Sequence, residues 1–358
     1  MPPRSPHGRV HGGPTTDPTL PAIPVVRTLD FHVHLLNPEV RFDRPFDRLA
    51  VRFFARRLGM APGRLYRDPF NAYVEALVTA LRTSKKVERA CLFPVDARVD
   101  ERGRELHRDR TVCASTEAVL EVSRRHPDLF VPFLSVNPLR PDALERLERH
   151  FEAGCRGAKF LQNYWLVDTG DPRFVPYYEK LAALGLPLVI HLGDEFAIRS
   201  DARYEGNDML RLPLECGVTV VAAHMSVGRL RHPMAPWRNL SRNPGHLDPE
   251  YFELLERLEE RPNLYADLAS MLVPLRARAL PHLAGQGQVH HKLLFATDYP
   301  VPFTVGLNTH GLPREPVRRI AAIENPFDRY AAVLLEFFPP DSPLWRNHRK
   351  LLPHLQSR

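Results

Sequence analysis

The run TLDFHVHLLNPE, Thr28 to Glu39, is apolar, carries two histidines in alternation, and stops at Asn37-Pro38. In an extended strand the side chains at i and i+2 share a face. His32 and His34 are therefore expected side by side, with Phe31, Val33 and Leu35 on the opposite face. Burying two neighbouring imidazoles costs free energy unless a hydrogen-bond network or a metal ion satisfies them.

Seven further runs of the same kind follow. They are ERACLFPVD (88–96), LFVPFLSVN (129–137), CRGAKFLQ (155–162), LPLVIHLG (186–193), VTVVAAHMS (218–226), NLYADLAS (263–270) and KLLFATDYP (292–300). Amphipathic, charged segments lie between them, among them TEAVLEVSRRH, ALERLERHFEAG, YEKLAALG, EYFELLERLEERP and MLVPLRARALPHLA. Strand, helix and strand joined by short turns imply parallel strands and right-handed crossovers. Eight such strands predict an α/β fold of the closed (β/α)8 TIM-barrel type, with its site at the carboxyl ends of the strands. An open doubly wound sheet is the alternative, but no GxGxxG opens its first turn.

Length and composition agree. A single barrel routinely uses a chain of 358 residues, and 44% hydrophobic content supplies a large core. Residues 1–24, rich in proline, lack the apolar centre of a secretory signal and are expected to be a mobile extension, leaving 25–358 as one domain. No apolar run approaches a membrane span. The four cysteines, Cys91, Cys113, Cys155 and Cys216, have no CxxC spacing and read as ordinary thiols of a reducing cytoplasm. The net charge of +7 and pI near 9.4 come from arginines interleaved with acids along the chain. This pattern predicts a solvated basic surface and no nucleic-acid partner.

The polar residues on these runs are the decisive pattern. His32 and His34, Lys159, His191, His224 and Asp298 each fall late in a run, just before the chain turns, so all converge on one rim of the barrel. One histidine at a strand end is ordinary. Four, with an aspartate, form a nitrogen and oxygen donor set that suits zinc or another divalent first-row metal better than calcium or magnesium.

DFHVH, GAKF, VIHLG, AAHMS and FATDYP, in this order, resemble the amidohydrolase superfamily, and within it the branch of aminocarboxymuconate-semialdehyde decarboxylase and related decarboxylases and hydrolases. The resemblance runs from about Thr28 to the helix after Asp298. It implies that His32, His34, His191 and Asp298 bind one divalent metal, zinc being expected and manganese, iron or cobalt the alternatives. It makes His224 a catalytic acid/base beside the metal or a ligand of a second one. Lys159 is then either a carbamylated bridge between two metals or an ammonium that holds a substrate carboxylate; the mononuclear reading is the expectation.

With that centre, hydroxide generated at the metal attacks a polarised carbonyl, Asp298 takes the proton and His224 stabilises the oxyanion. A hydrolase of a small, carboxylated organic substrate is therefore the first functional expectation. A non-oxidative decarboxylase that protonates a ring or enamine carbon shares every ligand and is the second. A catalytically silent ligand-binding barrel is the third.

Substrate contacts are expected on the loops at the rim. Asn163, Tyr164 and Trp165 follow the fourth run and Glu195 follows the fifth. The segment after the first run, about 39–84, exceeds a usual connection and predicts a helical insertion serving as a lid, a homodimer contact or both. His290 and His291 precede the last strand and belong to the opposite end of the barrel.

Overall fold

The computed structural model describes residues 26–41, 51–52, 54–56, 59–106, 114–195, 200–228 and 234–356. The expected N-terminal extension, with His7 and His11, lies outside the described residues. So does much of the expected insertion, including Phe42, Phe46 and Phe53.

Each of the eight apolar runs contains a strand. They are β1 Thr28–His34, β2 Val87–Phe93, β5 Phe130–Pro132, β6 Ala158–Phe160, β7 Leu188–Ile190, β8 Val220–Ala222, β9 Leu264–Asp267 and β10 Leu293–Leu294. A short antiparallel hairpin, β3 Arg98–Val99 with β4 Glu105–Leu106, stands apart from them. The eight form two parallel sheets, in the orders β1-β2-β5 and β10-β9-β8-β7-β6. Backbone bonds join the sheets at both seams. Leu134 N–H donates to the Gly157 carbonyl at 2.8 Å and Lys159 N–H to the Leu134 carbonyl at 2.8 Å. At the other seam Phe31 N–H reaches the Phe295 carbonyl, His34 N–H the Tyr299 carbonyl and Asp298 N–H the His32 carbonyl, each at 2.9 Å.

The helices begin where capping chemistry permits. Ser115 accepts from Ala118 N–H at the head of Thr116–Arg125, and Asn325 accepts from Phe327 and Asp328 N–H at the head of Pro326–Leu335. The described part of the insertion contributes helices Pro62–Arg67 and Pro69–Thr83, the second capped by Asp68. No helix among the described residues is long and apolar enough to cross a membrane.

Two apolar layers result. An inner cluster contains Leu29, Phe31, Phe93, Phe133, Val189, Val221 and Leu294, residues of strands in both sheets and of the turns after them. A much larger outer cluster fills the space between strands and helices. Phe31 was expected on the face opposite the two histidines and instead joins the inner cluster, its ring 5.6 Å from that of Phe133. The reason is a register shift between Asp30 and Val33, where β1 holds one more residue than its partner. Such a bulge reverses the alternation. Val33 and Leu35 do pack outward.

Two further expectations change. The segment MLVPLRARALPHLA folds as two short helices, Pro274–Ala277 and Leu280–Ala284. The basic surface is also incomplete as a description, because Arg140, Arg276 and Arg278 are buried. His290 stands in the helical turn that leads into β10, with Nε2 3.1 Å from the Leu283 carbonyl, away from the carboxyl ends of the strands.

Candidate metal centre

The site rests on the inner cluster. The ring of His32 lies 4.7 Å from that of Phe93, which makes part of the floor. His32 and His34 leave the end of β1 with their Nε2 atoms 3.1 Å apart. Asp298, just past β10, places Oδ1 3.5 Å from both. Among the described residues, these three offer donor atoms all within 4.8 Å of one another.

The tautomers follow from the surroundings. His32 Nδ1 is 2.7 Å from Oδ2 of the fully buried Asp267. A carboxylate only accepts, so Nδ1 carries the proton and Nε2 is a lone pair. That lone pair and a carboxylate oxygen then aim at one place together with His34 Nε2. Burial also pushes the Asp298 carboxyl up to about 7, against hydrogen bonding from Ser270 and the pull of Arg276. A divalent cation answers both demands, and nitrogen with oxygen donors suits zinc or manganese. His32, His34 and Asp298 therefore fit a metal.

Asp267 holds more than His32. Its Oδ1 accepts the backbone N–H of His224 at 3.0 Å and of Ala269 at 3.1 Å. His224 and Asp298 both sit in the left-handed backbone region, at φ 63° and 66°. For residues other than glycine this costs of order 1 kcal/mol, a strain that recurs at functional sites. Asp30, also fully buried, takes Thr297 N–H at 3.0 Å and Thr297 Oγ1–H at 2.6 Å, bracing β1 against the strand end that carries Asp298.

His191 does not join the triad. Its Nδ1 faces His224 Nε2 at 3.2 Å, its Nε2 is 3.2 Å from the Gly193 carbonyl, and Glu195 lies 3.7 Å from its Nδ1. His224 turns Nδ1 to the Ala269 carbonyl at 3.0 Å and stands 4.0 Å from Asp298. Burial, chiefly, holds all four imidazoles well below the usual histidine value. Lys159 is buried on β6 with Nζ 5.8 Å from the centre of the Phe93 ring, and its charge bears on His32, His34 and His191.

The loop residues divide. Glu195 is partly buried and belongs to the site through His191. Asn163 is buried with its amide donating to Glu205 at 2.8 Å. Trp165 is packed edge-on against Phe160, its indole N–H on the Asp96 carbonyl at 2.8 Å, and Tyr164 is buried beside it in the outer cluster. Residues the sequence reading passed over are Asp267, Asp30, Ser270 and Arg276. Asp267 had a visible signal, since it ends an apolar run as the predicted residues do.

The amidohydrolase family model matches residues 29–304. No curated protein matches the chain. Among solved structures it is similar to an uncharacterized TIM-barrel protein of Bordetella bronchiseptica (18% identity, TM-score 0.58, 92% of this chain and 100% of that one). It is similar to 2,6-dihydroxybenzoate decarboxylase from Rhizobium (16%, TM-score 0.51, 92% and 99%). A third likeness is to 5-carboxyvanillate decarboxylase of Novosphingobium aromaticivorans with bound manganese (13%, TM-score 0.50, 92% and 97%).

Proposed function

The chain belongs to the amidohydrolase family, and from that premise we propose that it is a metal-dependent, non-oxidative decarboxylase of a small carboxylated aromatic or enamine substrate. We read its two sheets as one closed (β/α)8 barrel, on the strength of the bonded seams and of the likeness to a TIM-barrel protein. The observation that supports the functional reading is that two buried cations, Lys159 and Arg276, act electrostatically on the His32, His34 and Asp298 group. Cations at the site can pair with a substrate carboxylate, which a neutral amide or ester lacks. The decarboxylases among similar folds, acting on carboxylated phenols by their names, point the same way.

His32, His34 and Asp298 would hold the ion, while His191 faces His224 outside this group of three donors. When bound, a divalent ion supplies Lewis acidity and a fixed positive charge. The protein groups do the rest. Asp267 fixes the His32 ring and the backbone of His224, so both imidazoles are oriented before substrate arrives. One proton taken up from solvent by the His224–His191 pair, whose other ring nitrogens already donate to the Ala269 and Gly193 carbonyls, passes to the substrate carbon that bears the carboxylate. The carbon–carbon bond then breaks, its electron pair restores the conjugated system, and carbon dioxide departs. Lys159 holds the substrate's acidic end in register during the transfer.

Hydrolysis by the same donors is the second reading, favoured by Asp298 lying close to both histidines of β1. The two part by product. Protein loaded with manganese or zinc is offered ring-hydroxylated benzoates labelled with carbon-13 at the carboxyl, and lactones and anilides of the same acids. Labelled carbon dioxide from the acids supports the decarboxylase. Cleavage of the lactones or anilides with no carbon dioxide from any acid overturns it.

A further inference from the structure

The turn that leaves β9 contributes none of the three donors at the metal position, yet it reaches His32, His224 and Asp298. Asp267 ends the strand and holds the His32 ring and the backbone of His224. Two residues on, the Ala269 carbonyl accepts from His224 Nδ1–H at 3.0 Å. Ser270 then donates its hydroxyl proton to Asp298 Oδ2, and its N–H reaches the Thr297 carbonyl at 3.3 Å. Ser270 is buried and sits at φ 55°, a backbone region that favours glycine. A serine in that conformation carries strain, and what it adds over glycine is the hydroxyl on the carboxylate.

Tyr330 grips this turn from outside. It lies on the helix Pro326–Leu335 and is fully buried. Its Oη–H donates to the Leu268 carbonyl at 2.6 Å, and the same oxygen accepts Met271 N–H at 2.8 Å. These two backbone groups flank Ala269 and Ser270, so the phenol clamps the turn at both ends. Phe303 and Phe295 stand edge-on to the Tyr330 ring, at 5.2 and 6.2 Å, and hold it in turn.

A carboxylate has two oxygens to offer a cation. A hydrogen bond on Oδ2 competes for that oxygen and leaves Oδ1, which lies 3.5 Å from Nε2 of both His32 and His34. We propose that Ser270, held in place by Tyr330, fixes Asp298 as a one-oxygen donor to the metal, which makes Ser270 and Tyr330 positioning residues. This rests on His32, His34 and Asp298 being the metal donors and is independent of the reaction that follows. Without the hydroxyl the carboxylate rotates about its Cβ–Cγ bond. The ion must then order it on binding, and both oxygens become available.

The test uses full-length protein stripped of metal. Zinc titration gives affinity, and the visible absorption of bound cobalt(II), which weakens as the ion gains ligands, reports coordination. Ser270→Gly suits the backbone and lacks the hydroxyl, and Ser270→Ala lacks it too. Both are expected to weaken zinc binding by about tenfold or more and to lower the cobalt absorption per ion. Tyr330→Phe moves both readouts in the same direction. Tyr178→Phe is the control: it removes another fully buried phenol, bonded to the Thr169 carbonyl at 2.9 Å, and lowers Tm with both metal readouts unchanged. Unchanged affinity and spectrum in the folded Ser270 variants overturn the proposal. So does a Tyr330→Phe variant that lowers Tm alone, or a Tyr178→Phe variant that weakens zinc as much as Tyr330→Phe does. If the unaltered protein takes up no ion, the metal centre itself is refuted and the proposal falls with it.

Discussion

His32 and Asp267 are 235 residues apart in the chain and 2.7 Å apart in the fold, imidazole Nδ1 against carboxylate Oδ2, both side chains fully buried. The contact sets which nitrogen of His32 faces the metal position. Asp267→Asn should therefore leave the donors in place and weaken metal binding by roughly 10- to 100-fold, the usual effect of losing such an orienting carboxylate. Titration of apoprotein with manganese or zinc reads it. An unchanged dissociation constant means that the His32 ring is held by packing on Phe93 alone.

His224 is assigned a proton-transfer role. His224→Asn should retain metal and Tm while lowering turnover by roughly a hundredfold or more. A variant that loses metal together with activity makes His224 a ligand. One that loses stability and keeps full turnover per folded molecule makes it a structural histidine.

Lys159 is expected to be an unmodified amine in a centre with one metal per chain. Intact mass and elemental analysis check both numbers at once. Lys159→Met should raise KM for an acidic substrate more than it lowers metal content. An added carbamate mass with two metals per chain contradicts the assignment.

His348 gives a pH prediction far from the metal. Burial, with a smaller contribution from Arg349, holds this imidazole down to about 4 from 6.5. The native state therefore prefers it neutral, and the unfolded chain takes up the proton first as pH falls. The associated stability is complete above the unfolded value and is lost as pH drops from 6.5 toward 4, by roughly 2 kcal/mol between pH 7 and pH 5. In His348→Gln the fall in unfolding free energy over that range should be shallower by about this amount. Denaturant melts at the two pH values measure it. Parallel pH profiles for the two proteins refute it.

The strands were legible because each apolar run is short, bounded by turns and late in polar content, and every run holds a strand. Strand ends brought His32, His34 and Asp298 to one rim together with Lys159, His191 and His224; the resemblance added His191 to the metal donors, and the structure groups the other three. What escaped has physical causes. The bulge at Asp30 is invisible in LDFHVH, which reads as plain alternation whether or not one residue is extra. Asp267 was passed over, because nothing local says that its partner is an imidazole 235 residues earlier. Arg276 looked like the solvated face of a helix, and only the meeting of three loops buries it. Hydrolysis and decarboxylation use the same ligands, so the motifs could not order them; the buried cations and the comparisons favour the reading placed second in the sequence.

The bond from Asp298 N–H to the His32 carbonyl joins one seam of the sheets and, in the same stroke, brings the last metal donor to the first. Fold completion and assembly of the centre are thus one event in time. A chain emerging from the ribosome shows its two histidines early and lacks the aspartate until nearly three hundred residues have been made. A half-built chain offers a metal ion only a two-point hold, so tight loading waits until the protein is whole.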